Sequence, residues 1–245
     1  KRHGAVSALE FRDEGFLPDA LFNFLSLLGW SPGDDREVMD RDEIASLFTL
    51  DRVKEAPAIF DRQKLEWMNG VYIRNMDADQ LMGEILPFME RPESAGGLPD
   101  AVSRPVDRDY LMQVIPLVHE RLKKLTEATE TLDFFFTDNV SPKAADLPGK
   151  KMDAEMTERA LGAALELCKT ATPFEPEHLE AEYRALAEKL EMKPGQLFSP
   201  IRVATSGKSF APPLFDTMSA IGQDRCAERI EKAIHILRSA AITGS

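Results

Sequence analysis

Cysteine is nearly missing from this chain: 245 residues hold only Cys168 and Cys226, with no CxxC pair. That argues against a disulfide framework and a thiolate zinc site, and it fits a reducing cytosol. Histidine is scarce as well. His3, His119, His178 and His235 never stand at i, i+4 from one another, so the helical two-histidine metal signature is absent and no metal is expected. No apolar run reaches the roughly 18–20 residues that span a bilayer, and no signal-peptide pattern follows the basic start, so no membrane partner is expected. Long alternating stretches, the mark of half-buried strands, are missing. So are a GxSxG elbow and an HExxH helix. The stretch TSGKS at 205–209 ends like a phosphate-binding loop, but Arg202 stands where that motif needs its first glycine. A helix C-terminus capped by Gly207 is the plainer reading. Asp34-Asp35 reads as a solvated turn and Gly96-Gly97 as flexible loop.

What remains is an acidic chain with helical periodicity. Lysine and arginine number 30 against 42 acidic residues, a net charge of −12. Alone this weighs against nucleic acid, because neutralising phosphates needs a basic footprint. A local basic face can still sit on an acidic chain. A hydrophobic share of 43% beside 29% charged residues is that of a soluble globular protein.

Turn residues divide the chain into helical segments. Pro18 opens a run with Ala20, Leu21, Phe24, Leu25 and Leu28 at helical spacing, and Gly29 ends it as a C′ residue. Asp40 caps a helix to about Phe48, with Glu43 as its capping-box partner. A short helix over 62–68 is closed by Asn69-Gly70, with Trp67 in the core. Phe22, Phe24 and Phe48 read as packing aromatics. Helices follow at 77–90 and 107–125, the second kinked or split by Pro116, then at 129–136, 153–170, 175–191, 194–206, 213–221 and 223–240. Residues 91–106 and 137–151 are loop-rich connectors. The fold class expected from the residues is mainly α, about a dozen helices in two or three packed groups.

Three longer stretches carry a resemblance: FLPDALFNFLSLLGWS, RVKEAPAIFDRQKLEWMNGVYIR, and LFSPIRVATSGKSFAPPLFDTMSAIGQDRCAERIEKAI. In this order they are similar to landmarks of bacterial-type glutamyl-tRNA synthetase, a glutamate–tRNA ligase. KRHG at residues 1–4 resembles the tail of that family's class I lysine-rich loop. The resemblance implies that the chain is the C-terminal half of such an enzyme. Residues 1–75 would hold the loop's end and a stem-contact region. Residues 76–150 and 151–245 would be two helical anticodon-binding modules, together an α-helix cage. The parent would use ATP, Mg2+ and glutamate to charge glutamate tRNA in the cytoplasm. This half would lack the adenylate pocket, hold no cofactor of its own, and bind tRNA but not DNA.

The same resemblance implies roles for single residues. Lys1 matches the lysine facing ATP phosphates, and Arg2 follows it in the remnant of that loop. Arg202, Ala211 and Leu214 match the base-binding face, and Arg121 matches a position that checks the third anticodon base. Arg184 is placed with the anticodon set. Lys123, Lys124 and Arg121 form a basic spot for phosphates that Lys150, Lys151, Arg184 and Lys208 would extend, and Arg52, Arg62, Lys64 and Arg74 are the stem-contact candidates. Phosphate contacts set affinity, whereas edge contacts to unstacked bases set specificity. Two other classes stay open: a helical protein-interaction module without tRNA affinity, and a small free-standing enzyme.

Overall fold

The computed structural model describes residues 7–53 and 59–243; Lys1 and Arg2 lie outside them. Among the described residues the chain has no strand, only an isolated bridge between Trp30 and Val53. It divides into two units, 1–130 and 131–245, and the boundary falls inside a helix.

The first unit holds α1 (Ala8–Asp13), α2 (Pro18–Gly29), α3 (Arg41–Leu47), α4 (Arg62–Arg74), α5 (Ala78–Met89) and α6 (Arg108–Val114). Helix starts follow the capping rule, in which a side-chain oxygen takes an orphan N–H of the first turn. Asp40, Asp61, Asp77 and Asp107 do this for α3, α4, α5 and α6. The box expected at α3 is not made, because Glu43 turns to Arg36. Trp30, not a left-handed Gly29, caps α2. Phe11, Phe16, Phe24, Leu65 and Met68 form one core cluster, and Trp30, Met39 and Ile44 another. Of the packing aromatics only Phe24 is buried; Phe22 and Phe48 are partly exposed.

Two expectations need correction here. Asn69-Gly70 does not close a helix, since α4 continues to Arg74. Trp67 is not in the core either: it is 45% exposed, while Asn69, two positions on, is fully buried. At helical spacing Leu65, Met68 and Asn69 share the inward face, and this leaves Trp67 outside. Pro116 splits the helix at 107–125 as expected, into α6 and two 3-10 turns, Ile115–Leu117 and His119–Arg121. The loop 91–106 is organised by Arg104. Its guanidinium donates to Leu98 O at 2.7 Å, Val102 O at 2.9 Å and Arg91 O at 3.0 Å. Gly97 belongs to this packing, since a Cβ there would lie 1.8 Å from Arg91 O.

The boundary helix is α7 (Glu127–Phe136). The second unit continues with α8 (Ala154–Thr170), α9 (Pro176–Lys189), α10 (Pro194–Ser206), α11 (Leu214–Ile221) and α12 (Gln223–Thr243). α8 runs against α12, and α10 packs on α8, α9 and α12. Cys168 and Cys226 are buried in this core, and burial pushes the Cys168 thiol up to about 11. Gly207 takes the left-handed cap of α10 at φ 74°, as expected.

One buried arginine ties the unit together. Arg229 of α12 is 4% exposed. It donates to Thr205 O at 2.7 Å, Phe134 O at 2.8 Å and Thr137 O at 2.7 Å. These carbonyls lie at the C-terminal ends of α10 and α7, which lack intrahelical donors and carry the negative end of the helix dipole. Replacing Arg229 with Met should orphan them and cost about 3 kcal/mol or more. Arg229→Lys should recover little, because one ammonium cannot reproduce the planar fork. Urea titration by far-UV circular dichroism checks both.

Candidate nucleic-acid interface

Residues 119–126 carry three of the expected cations, Arg121, Lys123 and Lys124. The segment has little regular structure, so its position depends on what it is fastened to. α4 supplies most of the fastening. His119 Nε2 lies 2.8 Å from Ile73 O. The buried Asn69 amide donates to Lys123 O at 2.6 Å and to Gly15 O at 3.3 Å, and accepts from Leu17 N–H at 2.8 Å. From the turn before α2, Gly15 O accepts Leu125 N–H at 3.0 Å, and Glu14 O accepts the Thr126 hydroxyl at 3.0 Å. Leu122 and Leu125 are buried, which points their neighbours outward.

Gly70 makes this approach possible. A Cβ on it would meet Arg74 Nη1 at 3.1 Å, Leu122 O at 3.3 Å and Lys123 Cα at 3.5 Å. A bare Cα on α4 thus lets the backbone of 122–123 lie directly on the helix. The same three distances show that Arg74 bends over Gly70 beside this backbone. The structure therefore brings Arg74 together with the 121–124 segment. Arg121 and Lys123 are exposed, and Lys124 and Arg74 half-buried.

The remaining stem-contact candidates are engaged within the unit. Arg62 pairs with Glu14 and, at 3.6 Å, with Glu66, and lies over the Phe16 ring. Lys64 pairs with Glu37 at 2.5 Å. Arg52 donates to Pro32 O.

In the second unit the candidates gather at the turn between α10 and α11. Arg202 is half-buried on α10, and its carbonyl accepts the Ser206 hydroxyl at 2.7 Å. Ser206 Oγ then accepts Lys208 N–H at 3.2 Å. The Lys208 ammonium reaches Asp133 Oδ1 at 2.7 Å and faces the Phe134 ring. Lys208 thus pins the turn to α7. Ala211 is half-buried, and Leu214 is buried at the start of α11, so Leu214 sets the position of the turn through packing. Pro212 and Pro213 stiffen the backbone between them. Phe210, which the motif reading passed over, is 80% exposed at the middle of this turn. Its sequence signal is an aromatic between Ser209 and Ala211, inside the third resembling stretch and outside any helical stripe. Arg184 stands apart on α9, paired with Glu180 at 2.5 Å and over the Phe198 ring. Lys150 and Lys151 are exposed before α8.

A flat ring, a half-buried arginine and a stiffened turn are what unstacked bases require, and outward lysines are what phosphates require. Comparison with known proteins identifies the family. Residues 80–234 match the family model described as "Anticodon binding domain".

The chain belongs to the anticodon binding domain family.

Residues 1–67 match a second model, "tRNA synthetases class I (E and Q), catalytic domain". A glutamate–tRNA ligase of Roseiflexus castenholzii is 47% identical over 98% of this chain and 46% of its own length. That of Chloroflexus aurantiacus is 45% identical over 98% and 48%. The chain thus spans about half the length of the curated relatives it matches. A crystal structure of a glutamate tRNA ligase from Elizabethkingia meningosepticum, in complex with its amino acid, superposes with a TM-score of 0.77 at 26% identity, over 93% of this chain and 43% of that one. Both turns described above, 119–126 and 207–213, lie inside the anticodon-binding match. Among the described residues no cluster of histidine, cysteine or carboxylate groups could hold a metal, and no helix is long and apolar enough to cross a membrane.

If Asn69 holds the 119–126 segment in place, Asn69→Ala should loosen it before it unfolds the unit. Leu17 N–H and Lys123 O lose their partner, at about 1–3 kcal/mol for each that stays dry, while Gly15 O keeps only Leu125 N–H. Hydrogen exchange at Leu125 N–H should accelerate at least tenfold, while amides in the middle of α5 change far less.

Proposed function

We propose that this chain is the tRNA-recognition portion of a glutamate–tRNA ligase, contacting the anticodon and stem of glutamate tRNA. The observation that carries the reading is the family match across 80–234, joined to the way Asn69, Gly70 and Arg229 hold two outward-facing turns inside it. The anticodon set is Arg121, Arg202, Ala211, Leu214 and Arg184, to which Phe210 adds an exposed ring for stacking. The phosphate set is Lys123, Lys124 and Arg74, with Lys208, Arg52, Arg62 and Lys64 reaching a strand only by exchanging their present partners. The three-part division at 75 and 150 belongs to the same reading.

The parent enzyme would activate glutamate with ATP, assisted by Mg2+, and transfer it to the tRNA end. Lys1 and Arg2 would belong to its ATP-phosphate loop. This portion supplies orientation and discrimination, so pure chain should catalyse no glutamate-dependent pyrophosphate exchange.

Affinity should be modest and fall linearly with log salt, with a shallow slope because few cations are available. Within that affinity Arg121 and Lys123 divide the work. An arginine aimed at a base edge rejects the wrong base by about 1–3 kcal/mol, whereas a lysine on phosphate weakens all tRNAs alike. Arg121→Gln in the parent enzyme should therefore narrow the charging ratio between tRNAs that differ at the third anticodon base. Lys123→Ala should lower binding without moving that ratio. Binding to proteins with no measurable tRNA affinity at low salt would favour the interaction-module reading instead.

A further inference from the structure

A cavity of ≈ 140 Å3 opens beside the first turns of α12, lined by Asp138, Arg225, Glu228, Arg229 and Lys232. Sequence reading assigned none of these residues a role. Three cations and two carboxylates meet there, and the carboxylates are the less committed partners. Asp138 pairs with Arg225 at 3.2 Å through a side chain that is 95% exposed, so water can replace it. Glu228 is exposed as well. The cations are held from behind by neutral groups. Arg225 donates to Phe135 O at 3.0 Å and Thr137 O at 3.2 Å, and Lys232 donates to Asn139 Oδ1 at 2.7 Å. The Arg225 Nε–H is buried and has no acceptor. An anionic oxygen entering the cavity would take charge-assisted bonds from these cations in place of the exposed carboxylates.

We propose that this cavity seats a backbone phosphate of the bound RNA strand. The inference rests on the tRNA reading above and adds a subsite to it. Arg229 links the two places: it lines the cavity and bonds the carbonyl of Thr205, two residues before the turn that carries Lys208 and Phe210. A strand that lays bases on that turn has its sugar–phosphate chain beside α12. The site reads no sequence. It adds one ion pair to an acidic protein that has few to offer.

The test is binding of a glutamate tRNA transcript to the full chain across a salt series. Arg225 also supports α7, so Lys232→Gln and Asp138→Asn carry the test. Lys232→Gln should weaken binding about three- to tenfold at low salt and flatten the slope of log affinity on log salt by about 0.7–0.9, the share of one phosphate contact. Asp138→Asn should strengthen binding about two- to fivefold, because it removes a carboxylate competing for Arg225. Normal wild-type binding with both variants unchanged would overturn the phosphate seat and leave the tRNA reading standing. No wild-type binding at low salt would overturn both. The chain is also titrated with inorganic phosphate: saturation of the Arg225 Nε–H resonance below millimolar phosphate would make this a free-phosphate site and overturn its assignment to the strand.

Discussion

Helix ends that stop inside a protein leave carbonyls without donors, and the second unit solves this with one guanidinium. Arg229 gathers the C-terminal ends of α7 and α10 onto α12. Three elements distant in sequence therefore share one buried charge. Such a charge is tolerated because planar, directed N–H groups match several carbonyls at once. The arrangement fixes the direction in which α10 leaves the core, and hence where Arg202 and the turn after Gly207 stand. The first unit repeats the logic with a neutral group. Asn69 is fully buried, and its two ends hold Leu17, Gly15 and Lys123. In both units the turn that faces outward owes its position to a polar side chain that faces inward.

This division also explains how a chain of net charge −12 can belong to an anticodon-binding family. Many of its cations are structural. Arg62, Lys64, Arg184 and Lys208 each lie on a carboxylate of their own unit. Exposed pairs of this kind add little stability, but they remove charge from the pool available to phosphates. On the proposed reading the recognition surface is then small and depends on geometry more than on total charge.

Much of the fold was legible in the residues, because helix starts and stops are local. Asp40, Asp77 and Asp107 announce their helices, Pro116 its break, and Gly207 the end of α10. Reading TSGKS as a helix end held for the same reason. What escaped was set by partners far along the chain. Trp67 and Asn69 looked like core and turn, in that order, because aromatic residues usually bury and Asn-Gly usually bends. Only the approach of residues 122–123, more than fifty positions on, makes Asn69 the buried residue and Gly70 the contact. Arg104 lies in no motif, and Arg229, though inside the third resembling stretch, was given no role, since an arginine that collects carbonyls looks like any surface arginine in one dimension. Phe210 is the converse: its exposure is a property of the turn and not of its neighbours in sequence. The candidate site was legible as a set of residues through resemblance, while their sorting into outward and engaged groups required the fold.

The central proposal is that each unit presents one turn to RNA, the first held by Asn69 and the second by Arg229. Backbone NMR of the chain, titrated with an isolated anticodon stem-loop of glutamate tRNA, tests it most directly. The account predicts that shifted amides concentrate in 119–126, 202–213 and the first turns of α12, with the exposed faces of α3 and α5 unmoved. Saturable binding whose shifts fall on α3 and α5, and leave both turns untouched, would contradict it.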